Sequence, residues 1–272
     1  MIAEFLILVG VGTLAGLLGS MVGLGGGFIV IPVMRLFYGM APATTAGVSL
    51  VMVLANAASG SLAFWRQRRI DVRLALVVAA TALPASILGT QLVHKVNALA
   101  FDALYGAMLL YLATTVIQNR NAKPPSEPRM ILGAKLRTLR DASGREYSYA
   151  VSTPVLLLCG VAIGLLSSFF GIGGGVVFVS LLVVIFGMPA HIVTATSTFA
   201  LFLTAPVGVI AHDIAGDIDW SFAIPLAVGG LIGGQLGAAA ARRLTSPQLM
   251  IVLATSLLLA FSGLVLRHVP HL

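Results

Sequence analysis

The sequence predicts an all-α polytopic membrane protein made of two tandem homologous repeats, with about eight transmembrane segments. Three observations carry this expectation. The 272 residues are 58% hydrophobic and only 9% charged, with a mean hydropathy of +1.04. Long uncharged runs match the length of about 20 apolar residues that crosses a bilayer core. A shift of 148 residues superposes the two halves without a gap, and each half carries the same glycine interruption, "GLGGG" at 23–27 and "GIGGG" at 171–175.

The repeat keeps its register over most of each half. Gly12 falls on Gly160, Gly16 on Gly164, Gly39-Met40 on Gly187-Met188, Ser49 on Ser197, Ile70-Asp71 on Ile218-Asp219, and Gly89 on Gly237. Residues 1–118 form the first repeat and 151–272 the second. Each holds four apolar segments, at 4–38, 43–65, 73–94 and 98–118, then at 152–186, 190–211, 220–241 and 246–266. The opening "MIAEFLILVG" has no Lys or Arg before its apolar run, so it reads as part of the first helix and not as a signal peptide. The connection at 119–150 holds 10 of the 25 charged residues. Its "KLRTLR" and "REYSYA" flank an Asp/Ser/Gly turn and read as a β-hairpin, with a disordered loop as the alternative. Cys159 stands alone, which excludes a disulfide framework.

Charge sets the orientation. Arg66, Arg68, Arg69 and Arg73 follow the second segment, and seven more Lys or Arg lie in the connection, so both regions belong on the cytoplasmic side. The corresponding loop of the second half, "HDIAGDID", has three acids and no Lys or Arg, and belongs outside. An inverted repeat with both termini outside puts 13 of 16 Lys and Arg inside; a parallel repeat with both termini inside puts 12 there. Length favours inversion. Phe5 to Met34 is 30 uncharged residues, about 45 Å as one helix against a core of about 30 Å. A first helix broken at the glycines, or re-entrant, followed by three spanning helices, gives each unit an odd number of crossings.

Glycine is costly inside a helix, and unwound backbone at membrane depth is tolerated only where it is buried in protein or lines a polar cavity. Broken helices of transporters present bare N–H groups and helix N-termini to anions. Gly23, Gly25, Gly26, Gly27, Gly171, Gly173, Gly174 and Gly175 are therefore candidate substrate-binding residues. Close helix packing is the competing reading, as in "GGLIGGQLG" at 229–237. Ser49 and Asn56, with Thr45, lie on one helical face of the following segment; Ser197 and Thr204, with Thr194 and Thr198, lie on the equivalent one. These complete the candidate site. Asp102, Asp213 and Asp219 fall near segment ends, and Arg35 reads as a snorkelling side chain. The absence of a deep carboxylate suits an anion better than a cation. No phosphate loop, G-x-S-x-G element or metal-ligand cluster is present, so neither an enzyme nor a resident cofactor is expected.

The twinned G-x-G-G-G segments, each followed by a G-M loop and a Ser/Thr-rich helix, resemble the TauE/SafE family of sulfite and organosulfonate exporters. The resemblance implies a multi-pass permease of the bacterial inner membrane for small sulfur-containing anions. The two related breaks suggest alternating access around a midplane site, with H+ or Na+ as candidate coupling ions. The termini are expected in the periplasm and the 119–150 connection in the cytoplasm. A channel-like or uptake permease for another small anion is the alternative; an intramembrane enzyme or a non-transporting scaffold ranks below both. The partners expected are lipid and the anion, with no nucleic acid, and the sequence leaves the oligomeric state open.

Overall fold

The computed structural model describes residues 2–119 and 133–268. Residues 120–132 of the predicted connection and the last four residues lie outside them. Ten helices and one hairpin follow in order: α1 (Ile2–Val22), α2 (Gly27–Phe37), α3 (Pro42–Arg66), α4 (Val72–Val93), α5 (Ala98–Asn119), β1 (Ala134–Arg140), β2 (Glu146–Ser152), α6 (Thr153–Phe170), α7 (Gly175–Phe186), α8 (Ala190–Ile214), α9 (Trp220–Ala241) and α10 (Ser246–His268). Among the described residues seven helices are long and apolar enough to span, namely α1, α3, α4, α5, α6, α8 and α9. The first apolar segment of each half is divided at its glycines, and the short α2 and α7 result.

The break turns the chain back on itself. Gly26 lies beside Ala15 and Gly19 of α1, and Val30 and Met34 of α2 share one apolar cluster with Leu8 and Val11. Gly174 lies beside Ile163 and Ser167 of α6 in the same way. Both α1 and α6 are thus the long arms of hairpins whose short arms are α2 and α7.

Small residues set which helices meet. Gly12 of α1 packs on the backbone of Leu226 and Gly16 on that of Gly230, while Gly237 packs on Leu17, so α1 and α9 run side by side in one direction. At the equivalent positions Gly160 meets Val78, Gly164 meets Ala82 and Gly89 meets Leu165, which pairs α6 with α4. Each long arm therefore packs on a helix of the other half, with backbones close enough that no Cβ fits. In the middle, α3 and α8 cross in opposite directions: Gly47 lies against His212 and Gly60 against Thr198.

The hairpin sits on one face, referred to below as the linker face. β1 and β2 pair antiparallel from Ala134 with Ser152 to Arg140 with Glu146. The turn anchors to the α3–α4 loop through the Ala142 amide, which donates to the Gln67 carbonyl at 3.0 Å. Arg137 reaches the Asp71 carboxylate at 2.9 Å, and Asp71 also caps α4 by accepting from the Leu74 amide. Asp219 caps α9 at the equivalent position, there through the Ser221 amide.

The snorkelling expectation for Arg35 is corrected by this packing. Arg35 is 2% exposed, and its Nε and Nη2 donate to the two carboxylate oxygens of Asp102 at 2.8 and 2.7 Å. It also donates to the Met40 carbonyl and lies over the Phe101 ring. The pair ties α2 to α5. The guanidinium turns inward because the fold supplies a partner that the sequence pattern could not reveal.

Replacing Gly164 with Leu should abolish the seating of α6 on Ala82. Size-exclusion profiles of the detergent-extracted variant should show loss of the monodisperse folded species. Gly10→Ala is the control: its Cβ would meet nothing within 4 Å, and stability should stay level or rise by up to about 1 kcal/mol.

Candidate functional site

The two glycine breaks meet in the middle of the molecule, and all eight candidate glycines are buried. Gly25 and Gly26 adopt φ of 80° and 89°, and Gly173 and Gly174 adopt 76° and 74°, a left-handed region open chiefly to glycine. Gly27 and Gly175 have a different reason. A Cβ on Gly27 would collide with Gly171 and Ile172, and one on Gly175 with Gly23 and Leu24. Val53 of α3 and Leu201 of α8, 148 residues apart, each lie against both Gly25 and Gly173.

Hydroxyls cross between the halves. Ser49 Oγ donates to the Gly171 carbonyl at 2.7 Å, and Ser197 Oγ donates to the Gly23 carbonyl at 2.6 Å. Each serine thus satisfies the break of the other half. Asn56 Nδ2 donates to the Gly25 carbonyl at 3.0 Å, and its Oδ1 accepts from Ser20 Oγ at 2.9 Å. Thr204, expected beside them, instead donates to the Ala200 carbonyl of its own helix at 3.0 Å. A threonine lacks the reach of asparagine, and its hydroxyl finds the preceding turn first.

The carbonyls of Gly23, Gly25 and Gly171 are therefore capped. The amides are not: among the described residues no hydrogen bond is found for the N–H groups of Gly25, Gly26 and Gly27, or of Gly173, Gly174 and Gly175. Buried backbone donors normally have partners. What the breaks present is thus an excess of N–H donors at the starts of α2 and α7, where the helix dipoles add positive potential.

Sequence reasoning missed one polar cluster on the face opposite the hairpin. His212 is fully buried. Its Nε2 lies 2.9 Å from the Ser168 carbonyl and its Nδ1 lies 2.7 Å from Asp217 Oδ2. His94 Nε2 reaches the same oxygen at 3.1 Å. A carbonyl can only accept, so Nε2 is the ring nitrogen that donates to Ser168, and Nδ1 faces the carboxylate. The three residues lie at helix ends and in a loop, and His94 is 123 residues from Asp217, so periodicity gives no hint of the cluster. Among the described residues no group of three or more His, Cys, Asp or Glu could hold a metal ion.

On the linker face the electrostatics fix the hairpin. Burial opposes the Asp141 charge, but hydrogen bonds from the Ser143 hydroxyl and the Arg145 and Ser143 amides, with the Arg69 charge, outweigh it and hold the carboxyl below its usual range. Burial, then the Asp71 charge, pushes the Tyr149 phenol far above its ordinary value. It remains a neutral donor to Asp71 at 2.9 Å.

Comparison with known families bears on what this arrangement is for. The model of the family described as sulfite exporter TauE/SafE matches residues 8–265. The chain belongs to that family. Among similar proteins is the probable membrane transporter protein YunE of Bacillus subtilis (strain 168), 29% identical over 263 residues, covering 94% of this chain and 95% of YunE. A probable membrane transporter protein of Xylella fastidiosa (strain 9a5c) is 27% identical over 251 residues, covering 90% of this chain and 88% of its own. One of Methanocaldococcus jannaschii is 26% identical over 273 residues, covering 93% and 94%. No solved structure matches the chain significantly. The family and these relatives make the protein a multi-pass membrane transporter.

Removing either crossing hydroxyl leaves a buried carbonyl without its donor. Ser49→Ala and Ser197→Ala should each lower stability by about 1–3 kcal/mol, read as a fall in the unfolding midpoint in detergent. Thr204→Ala should have a smaller effect, since its bond stays within α8.

Proposed function

We propose that the protein is a secondary transporter that exports a small sulfur-containing anion, sulfite or an organosulfonate, across the bacterial inner membrane. The carrying observation is the unpaired donor set at the crossing: amides of Gly25–Gly27 and Gly173–Gly175 without acceptors, at two converging helix starts. An oxyanion supplies several acceptors at once and suits such a set. The family's description as sulfite exporters supports the substrate class. Ser49, Asn56 and Ser197 frame the breaks and are the side chains assigned to hold them in shape around the ligand.

The opposite courses of α3 and α8 support an inverted repeat, and with it alternating access by rocking of the two halves about the crossing. In that arrangement each unit contributes a re-entrant hairpin and three spans. The Arg-rich linker face is cytoplasmic and both termini are periplasmic. Coupling to H+ or Na+ belongs to the same reading.

Proteoliposomes settle class, substrate and direction together. Protein loaded with radiolabelled sulfite should release it faster than empty liposomes do, and sulfoacetate should compete. Gly26→Val should insert normally yet lose at least about tenfold in rate, since a branched side chain in a left-handed position beside Ala15 distorts the donor array. Wild-type transport by Gly26→Val would reduce the glycines to packing elements and remove the anion-site reading. A reporter active only in the cytoplasm, fused after Leu272, should be silent; strong signal would favour the parallel arrangement.

A further inference from the structure

Above the crossing, on the linker face, a cleft of about 550 Å³ opens between the turn of the β-hairpin and the C-terminal ends of α3 and α9. Its charged lining is one-sided. Arg66, Arg69, Arg145 and Arg242 line it together with a single acid, Asp141. Those arginines come from three separate places: the end of α3 and its loop, the hairpin turn, and the end of α9. Tertiary structure alone gathers them, against the mutual repulsion of like charges.

Asp141 does not neutralise the group. Its Oδ1 accepts from the Ser143 amide at 2.8 Å, the Ser143 hydroxyl at 2.6 Å and the Arg145 amide at 3.1 Å. Its Oδ2 meets Arg69 Nη2 only at 3.4 Å and takes a further contact from Tyr147 at 3.4 Å. The carboxylate is committed to shaping the turn. Arg66, Arg145 and Arg242 have no acidic partner among the described residues.

The deciding feature is Arg69. It is 7% exposed, yet its Nε is buried with no hydrogen-bond partner. A buried guanidinium donor left open is costly, and such groups are ordinarily paired. Arg69 lines the cleft beside exposed Arg66, Arg145 and Arg242, so its guanidinium adds a fourth positive charge to the wall that an entering anion meets. A neighbouring cleft of about 510 Å³ shares Arg145 and Arg242 and adds Arg243, with one acid, Glu146, in its lining.

We propose that this cleft is a second anion site: an oxyanion-binding vestibule that concentrates the ligand at the linker-face mouth, separate from the donor set at the glycine breaks. The proposal rests on the transport reading for its purpose but not for its existence. Guanidinium forks bind the paired oxygens of sulfite, sulfonate, sulfate or phosphate groups. A concave basic cleft focuses potential and raises the local anion concentration, so association should weaken steeply with salt. The same chemistry fits the phosphate of an anionic lipid headgroup.

Binding is measured apart from transport, by titration calorimetry on the full chain in nanodiscs of phosphatidylcholine alone. Sodium sulfite or sodium sulfate is added at constant ionic strength, with sodium chloride as the reference. Wild type should bind both divalent anions. Arg145→Gln with Arg242→Gln should weaken that binding at least tenfold, with an unchanged unfolding midpoint because both side chains are exposed. Arg69→Lys, which keeps the charge but removes the planar guanidinium, should weaken it several-fold. Repeating the titration with phosphatidylglycerol in the discs separates the sources: competition lost in the double variant assigns a headgroup, and no competition assigns a free anion. Binding of sulfite, sulfate and phosphatidylglycerol that is identical in wild type and the double variant overturns the vestibule. Arginine-dependent binding in a protein that moves no sulfite would keep the vestibule and overturn the transport reading instead.

Discussion

Backbone that leaves its helix inside a membrane must find hydrogen-bond partners from protein, and the arrangement of this molecule follows from how that need is met. The breaks after α1 and α6 free carbonyls and amides where lipid can satisfy neither. Each half uses the other. Ser49 reaches the carbonyl of Gly171 and Ser197 that of Gly23, so neither half's break is complete without its counterpart. That dependence brings α3 and α8 to the centre, facing opposite ways, and sets the two breaks against each other at Gly27 and Gly175.

Glycine then performs two separate jobs. Within the breaks it supplies backbone conformations that side chains resist; along α1, α4, α6 and α9 it removes side chains so that backbones touch. In the first job it leaves N–H donors open, and in the second it fixes where they stand. A donor set held by such close packing is fixed in place, the condition under which dipoles are most effective.

The two halves are not equal. Asn56 reaches its break while Thr204 bonds its own helix. The Arg35–Asp102 pair braces α2 against α5, where the second half has Val183 and Met250 at the equivalent positions. The hairpin and its arginines occupy one face, and the His94–Asp217–His212 cluster the other.

The sequence by itself determined the membrane class, the helix breaks and the family, because those depend on local composition and on glycine, whose lack of a side chain is legible wherever it occurs. It also marked Ser49, Ser197 and Asn56 as polar positions on one helical face, expected to line a cavity. Their partners were decided by tertiary structure. A helical period shows that a hydroxyl points to one side but not that the carbonyl it meets lies 122 or 174 residues away. For the same reason Arg35 looked like a snorkelling cation until Asp102 was placed beside it, and Thr204 looked equivalent to Asn56 until side-chain reach separated them. Arg66, Arg69, Arg145 and Arg242 were visible only as orientation signals; a shared cleft is a property of three chain segments converging, and no single segment encodes it.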